Sequence, residues 1–396
     1  MKNRYSQNQK TKNCFYICGL TGGPFFPIPA ILEQVENKIQ NTKPILIGVK
    51  NSYESELSKQ LNYSIEYLPK AKLDILSFND LGFLEYLQGL YGSIISIFLL
   101  AFSFVKCISL MLKYKPILIY STGSFLAVPM LWAAKITNIL RLTNTKLIVH
   151  QQDATVGLAN RLTANLADLQ SCVFQYTKDK YPQFQNAELI PNPIITSKYD
   201  LKNTWQDKQL EAFVKNKETN KPLLLIFGGG SGALAINNWV TENIKELLNE
   251  FRVIHLTGIL QREKERVILS VTKDTLLEEY TTQQISNYFT QPSVLQDMPL
   301  LLASADLVIC RAGLGSISEM SLLNKPTFLV PLPNSHQEQN AELISQTYSN
   351  FQILSQEYQN SWLSFICNTI FNFSKNTFDQ PDLNIYYSKI IALIDK

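Results

Sequence analysis

The sequence predicts an α/β protein built on two parallel, doubly wound sheets. Three observations predict it. Apolar runs of strand length recur along the whole chain, and each is followed by a small-residue or polar loop and then a helical stretch. This alternation occurs in both halves. At 396 residues the chain is also too long for one ordinary core.

In the first half, Cys14–Cys18 reads as a strand, Gly19 to Pro24 as its glycine loop, and Ile28 to Ile39 as a helix. Strands follow at Pro44–Val49, near Ile65–Tyr67 and at Asp74–Phe78. Pro116–Tyr120 is a further strand, opening onto Ser121-Thr122-Gly123-Ser124 and the helix Val128–Ile136. Lys146–Val149 is next, followed by His150-Gln151-Gln152-Asp153-Ala154, polar residues directly after a buried strand. Ligands of open α/β sheets bind at such edges. His150 has two readings, a hydrogen-bonded buried imidazole or a catalytic group. Short strands at Gln170–Phe174 and Glu188–Ile190 close this half, and Pro191-Asn192-Pro193 breaks the chain.

The second half opens with the strand Pro222–Phe227 and the loop Gly228 to Ala233. A helix at Ile236–Phe251, a strand at Val253–Leu256, a polar helix at Lys264–Tyr280 and a strand at Asn287–Thr290 follow. The most informative stretch runs from Ala305 to Ala341. Leu307–Cys310 reads as a buried parallel strand, Arg311 to Ser316 as a tight loop, and Ser316 with Glu319 has the spacing of a capping box. A helix start offers unpaired N–H groups and partial positive charge, and glycines let a phosphate reach the backbone. Glu319, one turn in, is placed to accept from ribose hydroxyls. An ordinary βα turn is the plain alternative. The next strand, Thr327–Pro331, ends in a polar cluster, His336 to Asn340, at the same edge. The domain reading is 1–199, a linker at 200–221, 222–365, and a tail at 366–396 that packs back on the first domain.

Leu87 to Leu112 is unusual, with no charge between Gly92 and Val105. It reads as a spanning helix, a fully buried helix, or a helix on the sheet with surplus apolar residues resting on a membrane surface. Lys106 interrupts the run, and Lys106, Lys113 and Lys115 suit headgroups, so the surface reading is preferred.

Composition narrows the function classes. Hydrophobic content of 45% excludes a disordered chain, and Lys+Arg 36 against Asp+Glu 33 gives no electrostatic case for nucleic acid. Six cysteines without a C-x-x-C pair read as reduced core thiols, and three scattered histidines give no zinc signature.

Taken in order, the motifs resemble those of the MurG family, glycosyltransferases of peptidoglycan synthesis. The matching landmarks begin with Thr21-Gly22-Gly23, Ser121-Thr122-Gly123, His150 to Ala154, Gly157 to Arg161 and Asn192-Pro193. Gly228 to Ala233, His255 to Gly258, Cys310 to Gly313 with Ser318-Glu319, and His336-Gln337 with Asn340-Ala341 complete them. The resemblance implies a GT-B fold, two Rossmann-like domains facing a cleft, with no cofactor and no metal held by the protein. It implies transfer of N-acetylglucosamine from UDP-N-acetylglucosamine to undecaprenyl-pyrophosphoryl-muramyl-pentapeptide with inversion. The implied location is peripheral, on the cytoplasmic face of the cell membrane.

Residue by residue, it implies that Arg311 lies by the nucleotide and that Leu295 offers its backbone to uracil. The helix start Leu314, Gly315, Ser316, Ile317 and Ser318 takes the pyrophosphate, and Glu319 the ribose. His336 and Gln337 take the sugar, Gly230 and Ser231 line the donor loop, and Thr21, Gly22 and Gly23 face the acceptor. This chain departs from the family at four places. Pro24 stands where a histidine is usual. Gln151 and Asp153 replace a glutamate and an asparagine. Ile194 follows Asn192-Pro193 in place of an arginine, and Gly230 sits where serine is common. Asp153 is therefore a candidate for the base or for a substitute sugar contact. A transferase with another lipid acceptor, or an inactive nucleotide-sugar-binding scaffold, is the alternative function; a GT-B epimerase leaves the apolar helix unexplained.

Overall fold

The computed structural model describes residues 11–19, 22–50, 52, 63–69, 83–216, 220–230, 232–258, 285–294, 296–369 and 383–394. The expected elements at Asp74–Phe78 and Lys264–Tyr280, and the site residues Thr21, Ser231 and Leu295, lie outside them. The chain forms two compact units, Met1–Pro193 with Pro381–Lys396, and Ile194–Gln380.

The first unit runs β1 (Lys12–Ile17), α1 (Gly22–Phe25), α2 (Ile28–Lys38), β2 (Thr42–Gly48), β3 (Ser64–Tyr67) and α3 (Phe83–Tyr114). It continues β4 (Leu118–Ser121), α4 (Ala127–Ile139), β5 (Lys146–Gln151), α5 (Leu158–Thr163), β6 (Leu169–Cys172), α6 (Gln175–Lys180) and β7 (Glu188–Leu189). All seven strands pair in parallel, in the order β3-β2-β1-β4-β5-β6-β7. Phe15, Ile17, Ile119 and Val149 pack one face against Cys107 and Met111 of α3 and Met130 of α4. Tyr16, Leu46 and Ile148 pack the other against α2. Strands covered on both faces explain why they read as continuous apolar runs.

The second unit begins with a 3-10 turn at Thr196–Tyr199 and α7 (Lys208–Lys215). It continues β8 (Leu223–Phe227), α8 (Leu234–Glu250), β9 (Arg252–Leu256), β10 (Tyr288–Gln291), α9 (Met298–Ser304) and β11 (Leu307–Cys310). Then come α10 (Leu314–Leu322), β12 (Thr327–Leu329), α11 (His336–Thr347), β13 (Phe351–Ile353) and α12 (Trp362–Thr369). Its parallel sheet has the order β10-β9-β8-β11-β12-β13. Trp239 of α8 and Trp362 of α12 meet at 5.2 Å between ring centroids in the core beneath it. A last helix, α13 (Leu383–Ile394), packs against α2 of the first unit and buries Tyr386 and Ile390.

The structure adds detail at two of the expected boundaries. The polar stretch 200–221 is not a bare linker. Asp207 caps α7 by accepting from the N–H groups of Gln209 and Leu210, and Leu210 is fully buried. The Asp297 carboxylate also holds the N–H groups of Gln206 and Asp207. The tail read as starting at 366 loses its first residues to the second unit, because Ile366 is buried in that core.

Candidate active site

Each sheet reverses its strand order once, between β1 and β4 in the first unit and between β8 and β11 in the second. The crevice beyond the strand ends at such a reversal is where open α/β sheets bind ligands. Most of the described site residues predicted from the sequence fall at these two places or on the loops beside them.

In the second unit, Phe227 hands over to the glycine loop. A Cβ on Gly228 would stand 2.3 Å from the Ala233 nitrogen, so only glycine lets this loop fold so tightly. Opposite, β11 ends at Cys310, and α10 starts at Leu314 with Gly313 as an extended N-cap (φ −75°, ψ 139°) and no side-chain cap. The helix therefore begins two residues before the expected Ser316 cap. Ser316 and Glu319 lie within it and form no capping box, because Gly313 already supplies the extended turn. Ile317 N–H bonds the Gly313 carbonyl, and the Ser318 hydroxyl donates to the Leu314 carbonyl at 2.6 Å. Of the five residues expected to take a pyrophosphate, Leu314, Gly315 and Ser316 thus present N–H groups outside the helical ladder. A Cβ at Gly313 or Gly230 would meet nothing within 4 Å, so both approaches are open.

Arg311 turns its guanidinium onto the carbonyls of Val330 and Pro331, at 3.1 and 3.2 Å, fixing the end of β12 beside the helix start. Glu319 is half-buried and accepts from the Tyr199 hydroxyl at 2.7 Å; burial pushes its carboxyl up to about 7. His336 and Gln337, read as loop residues, open helix α11. Ser335 caps it by accepting from Gln337 N–H, and with Glu338 it has capping-box spacing at an actual N-cap, which Ser316 does not occupy. The Gln337 side chain accepts from Leu332 N–H at 3.1 Å, and His336 is exposed.

In the first unit, Gly22 and Gly23 form α1, a single turn after β1. Pro24 packs its ring over Gly19, where a Cβ would come within 2.4 Å of it. The Thr122 hydroxyl, from the loop after β4, donates to the Pro24 carbonyl at 2.5 Å. β5 extends to Gln151, so His150 and Gln151 are strand residues rather than loop residues, held by pairing with β6.

His150 is fully buried, and burial pulls its imidazole down to about 4. Its partners set the tautomer. Asn192 donates its amide to the Gln152 side-chain oxygen at 3.1 Å, so its own oxygen accepts from His150 Nε2 at 3.1 Å. Nδ1 then accepts from the Ser171 hydroxyl at 2.9 Å, which lies 2.9 Å from the Tyr386 hydroxyl of α13. At the other end Gln152 donates to the Gly23 carbonyl at 3.1 Å. His150 is thus the buried, satisfied imidazole of the two readings. Asp153 follows Gln152 directly, half-buried at the same edge.

Sequence reasoning missed Tyr199, Gln152 as the brace on Gly23, and the apolar surface of α4. Trp132, Ile136 and Ile139 at i, i+4, i+7 are exposed, as are Phe98, Phe102 and Val105 of α3, at up to 72% for Phe98, and α3 and α4 pack together. The signal was available, because α4 is apolar nearly all round. Among the described residues no helix is long and apolar enough to cross a membrane.

Residues 15–169 match the glycosyltransferase family 28 N-terminal domain, and residues 223–383 match the glycosyltransferase family 28 C-terminal domain. This chain belongs to glycosyltransferase family 28. Among its relatives is a protein of Caldicellulosiruptor saccharolyticus named UDP-N-acetylglucosamine--N-acetylmuramyl-(pentapeptide) pyrophosphoryl-undecaprenol N-acetylglucosamine transferase. The two are 27% identical over 89% of this chain and 88% of the relative. A Listeria monocytogenes protein of the same name is 25% identical over 89% of each. Among solved structures, Acinetobacter baumannii MurG covers 98% of this chain and 99% of its own, with a TM-score of 0.64 at 19% identity. A putative UDP-N-acetylglucosamine 2-epimerase of Listeria monocytogenes gives 0.59 at 10% identity, covering 98% of this chain and 96% of its own. Both structures share the GT-B fold of this family 28 chain, so fold alone does not separate transferase from epimerase.

Proposed function

We propose that this family 28 chain transfers N-acetylglucosamine from UDP-N-acetylglucosamine to the 4-hydroxyl of lipid-linked muramyl-pentapeptide, with inversion at the anomeric carbon. The observation that carries the reading is likeness over nearly the full length to transferases of that name. The uncapped start of α10 beside Glu319 supplies the chemistry a nucleoside diphosphate needs.

The second unit holds the donor. The N–H groups of Leu314, Gly315 and Ser316 take the pyrophosphate, and their partial positive charge stabilises UDP as it leaves. Glu319 accepts from the ribose hydroxyls, and Gln337 and His336 contact the sugar. In the first unit, the Gly22-Gly23 turn faces the acceptor pyrophosphate. Asp153 takes the proton from the attacking hydroxyl, a task left open by Pro24. The exposed side chains of α3 and α4, with Lys113 and Arg141 nearby in sequence and exposed, rest on the cytoplasmic membrane surface where a polyprenyl acceptor resides.

The test is turnover of radiolabelled UDP-N-acetylglucosamine onto lipid-linked muramyl-pentapeptide by purified protein in detergent, with Glu319→Ala as control. Label in the lipid product, lost in the control, is the expected result. Donor binding without transfer would favour another lipid acceptor or a scaffold, the readings that Pro24 and Asp153 make specific. Absence of donor binding would overturn the proposal.

A further inference from the structure

The contact between Tyr199 and Glu319 belongs to neither the family motifs nor the α10 helix start. Tyr199 closes the 3-10 turn Thr196–Tyr199, which opens the second unit and packs against α9. It reaches across 120 residues of sequence to place its hydroxyl 2.7 Å from Glu319 Oε1. Both side chains are half-buried. The phenol is held protonated, because burial and the adjacent carboxylate both raise it, so it donates and the carboxylate accepts.

We propose that Tyr199 is a positioning residue for ribose recognition: its hydroxyl holds Glu319 Oε1 as an oriented acceptor, leaving Oε2 for the ribose hydroxyls. The inference rests on the reading that Glu319 binds the ribose. A glutamate side chain has three rotatable bonds, and a carboxylate meant to accept from a vicinal diol needs its plane fixed before the ligand arrives. Arg311 does not fix it, since its guanidinium faces the Val330 and Pro331 carbonyls. Tyr199 does so without neutralising it, which a lysine or arginine would.

The same contact sets a charge state. Burial raises the Glu319 carboxyl, whereas the Tyr199 hydrogen bond and the charge of Lys198 lower it; among the described residues Cys310 of β11 also interacts with it. Removing the phenol hydroxyl deletes one of the two lowering influences, so protonation of Glu319 moves to higher pH. A protonated carboxyl loses part of its acceptor capacity for the diol.

The experiment is titration calorimetry of the full chain with UDP and with 2′,3′-dideoxyuridine diphosphate between pH 6 and 9. Wild-type protein should prefer UDP by about tenfold or more at pH 8, the scale of a hydrogen bond to a charged group, and lose that preference as pH falls through the Glu319 transition. Tyr199→Phe should cut the preference at pH 8 by roughly threefold or more and move its pH midpoint upward. On a Glu319→Gln background the same change should alter neither quantity, which a general loss of packing would not reproduce. Tyr199→Phe with the wild-type preference and midpoint would overturn the proposal and leave the ribose role of Glu319 standing. A wild-type protein that does not distinguish the two ligands at any pH would overturn both. If Tyr199→Phe does not fold, Tyr199→His, which keeps a ring donor, should hold the midpoint nearer the wild-type value than Tyr199→Leu; equal midpoints in these two would overturn the proposal.

Discussion

The two sheet reversals are built alike and finished differently. Each unit carries one fully satisfied imidazole near its ligand edge. His150 donates to Asn192 and accepts from Ser171, and His255 is paired the same way with Asn237 at 3.0 Å and the Tyr288 hydroxyl at 3.1 Å. Beyond the histidines the likeness ends. The second unit's edge, the proposed donor side, leaves the α10 start without a side-chain cap and with room at Gly313. The first unit's edge, the proposed acceptor side, is cross-braced by its own side chains, Gln152 and Thr122 holding the Gly23 and Pro24 carbonyls. One edge stores electrostatic attraction for a phosphate, and the other stores geometry. On the proposed reading, chemistry that needs a charge on this side falls to Asp153.

The largest expected effect tests that division. Asp153→Asn keeps the shape and removes the proposed base, so kcat should fall on the order of 10²- to 10⁴-fold while UDP affinity is unchanged. Full turnover in the variant would assign the base elsewhere and break the contrast between the edges. Next in size is acid sensitivity, where the two units should behave alike. Burial holds both imidazoles neutral, with pKa values down to about 4 from 6.5. Between those values the unfolded chain binds more protons, so this stability is complete above pH 6.5 and is lost as pH falls toward 4. Each histidine contributes roughly 3 kcal/mol over that window. Denaturant titrations at pH 7.5 and 5 should show the loss, and His150→Gln should flatten the pH dependence of the first unit alone.

How much of this was legible in the sequence follows from what each feature depends on. Strand runs, glycine loops and the order of the two halves depend on local pattern, and β11 begins and ends where its apolar run does. The start of α10 was misplaced because Ser316 and Glu319 imitate a capping box at a spacing that also occurs inside a helix. Gly313 took the cap in an ordinary extended conformation, and the chain enters the helix three residues earlier than a Ser316 cap would allow. The braces were invisible for another reason. Gln152 to Gly23 spans 129 residues and Tyr199 to Glu319 spans 120, and no local spacing encodes a contact made by folding. Departures from the family pattern, Pro24 and Asp153, were legible as residues but not as partners.

A third effect concerns the exposed apolar side chains of α3 and α4 in the first unit. Phe102 is 62% exposed and Ile139 69%. Replacing both with glutamate should leave UDP binding unchanged and stability within about 1 kcal/mol, since surface changes away from special features cost little. Co-sedimentation with anionic vesicles should fall about tenfold, through lost apolar burial and added repulsion from the lipid charge. Equal sedimentation would assign this face another role and leave the donor chemistry intact.

The smallest effect probes whether the acceptor edge is truly set from a distance. Tyr386 of α13 begins a directed series of hydrogen bonds through Ser171, His150, Asn192 and Gln152 to the Gly23 carbonyl. Tyr386→Phe keeps the ring and removes one hydroxyl, worth about 1 kcal/mol. If the series orients the turn, acceptor KM should rise about fivefold at unchanged UDP affinity, because only the first unit is touched. Ser171→Ala should do at least as much, since it leaves His150 Nδ1 without its donor. A drop in melting temperature with unaltered KM would mean that the series ends at His150 as core packing. The brace on Gly23 would then be local to Gln152 and Thr122, and the contrast between the two edges would rest on those two side chains alone.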